Sequence, residues 1–300
     1  MRSLRFLLLL TLLLRGVADA RPTVPASDKP AVRPTAPQFS SLSRGIEEAR
    51  KRGNSRIFVF VDAKQCGDCD RMNALVIPAR IFRDFVEDKV VVRVDISSEE
   101  GARLGDEFGI SSAPAWIVMT PDGVLSWLHK GMTPQAAWLE QLTVSEERWK
   151  FYQKMLAEET ANPTNGELAF ENARETFRRH GDAQAEKGFR RLVGDPSTPP
   201  PILEQSLAYL ATIEMNGKRL DEARGHLETL LKIGQDPTLR ERAELRLVEV
   251  EIGKNDAAAA KRRLDRFVKA HPESAKKNVE DLERIIFALS QPPAGESEKR

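Results

Sequence analysis

Only two cysteines occur in 300 residues, and they stand three apart. A small fold stapled by several disulfides is thereby excluded. An excess of positive charge is also missing, since 46 Lys and Arg face 45 Asp and Glu. A nucleic-acid binder that relies on general phosphate attraction needs such an excess, so no nucleic-acid partner is expected. Histidines are few, and His129, His180, His226 and His271 are scattered without ligand spacing. With no second cysteine pair, a zinc set is not available, and no metal is expected. No apolar run approaches the ~20 residues that span a bilayer; Phe6 to Leu14 has nine.

What is present is enough to build cores: 41% of residues are hydrophobic and 30% charged, too apolar for a wholly disordered chain. At roughly 150 residues per domain the length suits two domains. Residues 1–20 combine Arg2 and Arg5, the apolar Phe6 to Leu14 and the small-x-small Ala18-Asp19-Ala20. This pattern predicts a cleaved signal peptide; an uncleaved anchor is the alternative, favoured by Arg15. No stable membrane span is expected after cleavage, and the remainder has a net charge of −1. Residues 21–38 hold five prolines among polar and small residues and read as an extended linker. Structure is expected from Phe39.

Ser55 to Val61 is a short β-branched and aromatic run that predicts a buried strand. The polar Asp62-Ala63-Lys64-Gln65 leads into Cys66-Gly67-Asp68-Cys69, followed by a helical stretch, Asp70 to Val76. A helix over Ile81 to Val86 leads to a parallel partner strand, Val90 to Ile96. Glu99 to Phe108 is helical and stopped by Gly109. Ala115 to Thr120, the turn Pro121-Asp122-Gly123 and Val124 to Leu128 predict an antiparallel hairpin. Thr133 to Leu142, with Pro134 in its first turn, closes the unit as a helix.

The order β-α-β-α-β-β-α, with C-x-x-C at the first strand-to-helix junction and Ser112-Ala113-Pro114 before a later strand, resembles thioredoxin. The resemblance covers Phe39 to Thr143, roughly a third of the chain. It implies an α/β thioredoxin-like domain, a central mixed sheet flanked by helices, working as a thiol–disulfide oxidoreductase. A thiolate is the nucleophile in disulfide exchange, and a helix N-terminus stabilises it. By resemblance Cys66 is the exposed attacking nucleophile and Cys69 the more buried resolving cysteine. Gly67 and Asp68 complete the motif. Pro114 takes the cis form, which X-Pro bonds alone adopt readily, and Ala113 presents backbone to an incoming peptide. No cofactor is implied beyond the redox-active Cys66–Cys69 disulfide.

The chain departs from the family in three places. Gln65 stands where thioredoxin has a tryptophan, and Phe60 where it has a buried aspartate. Asp62 lies only four residues before Cys66 and reads as a surface position, so the usual proton acceptor is missing or relocated. The insertion Val76-Ile77-Pro78-Ala79 makes the unit look more like periplasmic thioredoxin-like domains than the cytosolic protein. Asp68 opposes negative charge on Cys66 while Lys64 favours it; a disfavoured thiolate means a lower reduction potential, which points to reductase or isomerase work.

From Thr143 onward strand signals vanish, and all four tryptophans lie before residue 150. Gly181, Gly217 and Gly253 recur at spacings of 36, each between two amphipathic helices. The second helices read Ala185-x3-Phe189-x2-Leu192, Ala223-x3-Leu227-x2-Leu230 and Ala260-x3-Leu264-x2-Phe267. This pattern resembles the tetratricopeptide repeat, whose period is ~34 residues, and implies an all-α helical-hairpin repeat domain over 165–290. A generic helical bundle is the alternative. Residues 144–164 are expected to connect the two domains, Val279 to Leu289 to cap the last repeat, and 291–300 to be a disordered tail. Eleven arginines (174, 178, 179, 190, 191, 240, 242, 246, 262, 263, 266) either line a groove for an acidic segment or form salt-bridged solvated faces with the interleaved glutamates.

Together these parts predict an exported oxidoreductase whose helical repeats recruit a protein partner or substrate. The second reading is a binding scaffold with a structural Cys66–Cys69 disulfide, and a third is a chaperone using both domains. The expected compartment is a bacterial periplasm, with a eukaryotic secretory lumen as the alternative.

Overall fold

A computed structural model describes residues 39–291; the expected signal peptide, proline-rich linker and polar tail from Pro292 lie outside them. The described residues fall within one compact unit. Strands β1 (Ile57–Asp62), β2 (Val90–Asp95), β3 (Ala115–Met119) and β4 (Leu125–Lys130) form one sheet in the order β2-β1-β3-β4. β2 runs parallel to β1, while β3 and β4 are antiparallel to their neighbours. The central strands carry unbroken apolar runs because both faces of the sheet are covered.

On one face Val59, Val61, Val92 and Ile117 meet α1 (Leu42–Lys51) and α4 (Glu99–Phe108). On the other, Phe58, Phe60, Trp116 and Val118 meet α2 (Gly67–Leu75), α3 (Arg80–Val86) and α5 (Gln135–Ala161). The mixed sheet flanked by helices is the architecture expected from the sequence. Helix α1 is an addition to it. Its Gly45 permits close packing, since a Cβ there would lie 2.3 Å from Val92. Helix α4 is capped by Ser98, whose Oγ accepts from Gly101 N–H, and ends at Gly109 in the left-handed conformation. Helix α5 continues well beyond Leu142 to Ala161 as one rod, because Trp149 and Tyr152 on its second half are buried against Val124.

Beyond α5 the described residues are helical: α6 (Gly166–Arg178), α7 (Asp182–Gly194), α8 (Pro200–Asn216), α9 (Leu220–Ile233), α10 (Pro237–Gly253), α11 (Ala257–Ala270), α12 (Pro272–Asn278) and α13 (Glu280–Leu289). Three hairpins, α6/α7, α8/α9 and α10/α11, pack in series, as a repeat-like all-helical domain does. In α7, α9 and α11 the alanine and both large apolar residues of each motif are at most 3% exposed. Pro200 and Pro201 sit in the first turn of α8. The left-handed residues of the three hairpin turns are His180, Lys218 and Asn255, not the regularly spaced glycines. Gly181 and Gly253 are small for another reason: a Cβ would come within 3.0 Å of Val124 and Leu220 respectively.

The arginines of this half are largely committed to ion pairs. Arg190 binds Glu186, Glu214 and Glu222, Arg191 binds Glu159, and Arg263 binds Glu228 and Glu251. Arg240 donates instead to the carbonyls of Leu231 and Gly234. Among the described residues no helix is long and apolar enough to cross a membrane.

Candidate functional site

At the C-terminal end of β1 the chain turns through Gln65, held at φ 60°, into α2. Cys66 is the N-cap of that helix, and its Sγ accepts the Cys69 backbone N–H at 3.0 Å. The two sulfurs are joined as a disulfide, with Cα atoms 5.1 Å apart. Cys66 is half-buried, whereas Cys69 is 1% exposed and belongs to the apolar cluster of Met72, Phe60 and Trp116. Once the bond is reduced, the helix N-terminus and the donated N–H both favour negative charge on Cys66 rather than Cys69. The more accessible sulfur is therefore the one equipped to attack.

The Ala113–Pro114 peptide bond is cis. It stands directly before β3, whose Ala115 pairs with Val61 of β1; this pairing brings the bond to the cysteine end of the sheet. Ala113 and Cys66 pack against the same apolar cluster. The Pro114 carbonyl accepts from Gly131 N–H at 2.8 Å, which ties the segment to the end of β4. Gly67 is exposed, and a Cβ there would meet nothing. Asp68 is part-exposed and paired with Arg71 at 3.2 Å, so its charge is partly neutralised.

Asp62 is not the surface residue its sequence position suggests. Its side chain is 19% exposed and ion-paired with Arg93 at 3.3 Å. Its carboxylate lies within 4.8 Å of both sulfurs. Arg93 also donates to Asn73 of α2 at 2.6 Å and covers the Phe60 ring. Phe60 itself is buried and stacked on Trp116, so no carboxylate replaces it at that depth. The signal for Asp62 and Arg93 lay in the strand pairing: once β1 and β2 align Phe60 with Arg93 and Asp62 with Asp95, the arginine is brought beside the aspartate. Asp62, Cys66 and Cys69 are also the one cluster of metal-capable groups among the described residues. In the disulfide neither sulfur is a thiolate donor, so only the reduced pair would offer these ligands.

Residues 42–145 match the family model of the thioredoxin-like domain. This stretch of the chain is a thioredoxin-like domain, carrying a bonded cysteine pair at the first strand-to-helix junction. Similar solved structures include a thioredoxin from Thermus thermophilus, 18% identical, covering 35% of this chain and 83% of that one, with a TM-score of 0.30. The reduced DsbD C-terminal domain of Neisseria meningitidis is 17% identical, covering 36% and 98%, with a TM-score of 0.31. A DsbH oxidoreductase is 14% identical, covering 44% and 92%, with a TM-score of 0.31. No curated protein matches the chain.

Proposed function

We propose that the protein is an exported thiol–disulfide oxidoreductase of the reductase or isomerase type. The observation that carries this reading is the asymmetric cysteine pair at the head of α2, one sulfur accessible and the other buried. The Cys66 thiolate attacks a substrate disulfide, forming a mixed disulfide and releasing the substrate's other sulfur as a thiolate. Cys69 then attacks the Cys66 sulfur, which regenerates the Cys66–Cys69 disulfide and releases the substrate dithiol. Asp62 is the group placed to take the Cys69 proton in that second step. In the reverse direction the pair accepts electrons from a redox partner.

Ala113 and Pro114 form the shelf for the substrate chain, and no cofactor beyond the disulfide takes part. Two carboxylates near the sulfurs, Asp62 and Asp68, disfavour the thiolate and so lower the reduction potential. The N-terminal signal-like segment supports export to a periplasm. The helical hairpins supply a surface for a partner protein. Arg242 and Arg246, with Tyr209, border a cleft of about 300 Å³ there, and Arg242 has no ion pair among the described residues.

The test is the reduction potential of the pair, measured by equilibration in glutathione or dithiothreitol buffers and trapping with a thiol reagent. Reductase or isomerase work requires a value between about −270 and −180 mV. A pair that stays oxidised below about −300 mV would make the disulfide structural and the protein a scaffold. A more positive value would make it an oxidant.

A further inference from the structure

A cleft of about 740 Å³ runs between the outer edge of β4, the exposed side of α5 and the C-terminal end of α6. β4 is an edge strand. Gly131 N–H points inward to the Pro114 carbonyl. By the alternation of an antiparallel ladder, the main-chain groups of Lys130 and Leu128 then point outward, those of Leu128 into the cleft. At the other end of the strand that edge is already in use. Leu125 N–H donates to the Arg179 carbonyl at 2.7 Å, and the Leu125 carbonyl accepts from Arg179 Nη1 at 3.2 Å. The end of α6 thus occupies the place of a further strand residue and closes the cleft there.

The charges are distributed unevenly along this edge. At the closed end stand Arg148, Arg178 and Arg179 against one carboxylate, Glu175. Arg148 is exposed and has no ion pair among the described residues, and Arg178 reaches Glu175 only at 3.8 Å. At the open end stands Glu140. Val144 of α5, 44% exposed, gives the wall between them an apolar patch.

We propose that this cleft takes the C-terminal segment of a partner protein, added antiparallel to β4, with its terminal carboxylate between Arg148 and Arg178. The direction follows from the chain: a strand antiparallel to β4 runs from Lys130 toward Leu125 and must stop at Arg179. A chain end fits there, and the unpaired Arg148 and the loosely paired Arg178 recognise a carboxylate. Main-chain pairing supplies affinity and the charged end supplies register, as in other recognition by strand addition. This site is separate from the cysteine pair, and its test does not depend on any redox activity.

The experiment is selection of a random heptapeptide library displayed with free C-termini on the full chain. The best sequence is then synthesised as the acid and as the amide. The expected result is binding of the acid with at least tenfold loss for the amide, and a similar loss for R148E and R178E. Slowed hydrogen exchange should appear at Leu128 and Lys130, while far-UV circular dichroism and Tm stay unchanged in the variants. Failure to enrich any sequence over the R148E/R178E double variant would overturn the proposal. So would equal binding of the amide, protection elsewhere, or concentration-dependent self-association that protects the same edge, which would assign the face to a second copy of the chain.

Discussion

In the sheet unit, β1 and β3 bury only apolar side chains along their length; Asp62, Arg93 and Asp68 gather at the end where the cysteines stand, and Lys89 and the Arg56–Glu146 pair stand at the opposite end. In the helical hairpins, carboxylates are buried at intervals. Glu204, Glu214 and Glu251 are each at most 3% exposed. Glu204 accepts two backbone N–H groups at the head of α10, Glu214 is held by Arg190 and His226, and Glu251 by Arg224 and Arg263. The first region keeps the charge around its central strands at the strand ends, one of them reactive. The second spreads it over every inter-hairpin contact, where a buried carboxylate with complete partners sets the register between neighbours but adds little net stability. A sheet unit of this kind is sensitive at a few atoms; a hairpin series is sensitive at its packing.

The largest expected effect breaks the chemistry of the first region alone. Cys66→Ser should abolish disulfide reduction in an insulin turbidity assay, a loss of at least about a thousandfold given that the thiolate is the nucleophile. The far-UV spectrum and unfolding of the hairpins should not change. Cys69→Ser should instead accumulate mixed disulfides visible on non-reducing gels. Next is the packing of the second region. Phe189, fully buried and stacked on Tyr209 with ring centroids 4.8 Å apart, should cost about 3–5 kcal/mol on replacement by alanine. Urea denaturation would measure this, and the potential of the cysteine pair should stay at its wild-type value.

A smaller effect concerns Asp62. Asp62→Asn removes a negative charge beside the sulfurs and should make the pair more oxidising by roughly 10–30 mV, where 30 mV is about 1.4 kcal/mol. Slower release of the mixed disulfide in stopped-flow kinetics would identify Asp62 as proton acceptor, and an unchanged rate would leave it a purely electrostatic neighbour.

The smallest effect is a pH dependence in the hairpins. Two hydrogen bonds from Arg219 hold the Glu186 carboxyl down at about 2. A depressed folded-state value gives stability that is complete above the ordinary carboxylate range and lost as pH falls through it toward 2. Wild type and Glu186→Gln should therefore differ in urea midpoint at pH 6 and converge near pH 2.

Much of this division was legible before any coordinates. The strands, the α4 stop at Gly109 and the buried faces of α7, α9 and α11 follow from local patterns of apolar residues, and the C-x-x-C marks its own position. Two things were not legible. Helix α1 carries few apolar residues, and its glycine matters only because Val92 lies beneath it. The left-handed residues of the hairpin turns are His180, Lys218 and Asn255, which no local pattern marks, and Gly253 answers to Leu220, far away in sequence.

The sequence by itself determined the two-part architecture and the positions of the C-x-x-C pair and of the proline before β3, because periodicity and motif spacing are local properties of the chain. Tertiary structure alone decided the surroundings of that site. Asp62 gains its place beside the sulfurs only when β1 and β2 pair, and Leu125 meets Arg179 only when α6 docks on the sheet's far end. Contacts between residues 31 or 54 positions apart depend on register and packing direction, which no stretch of local sequence encodes.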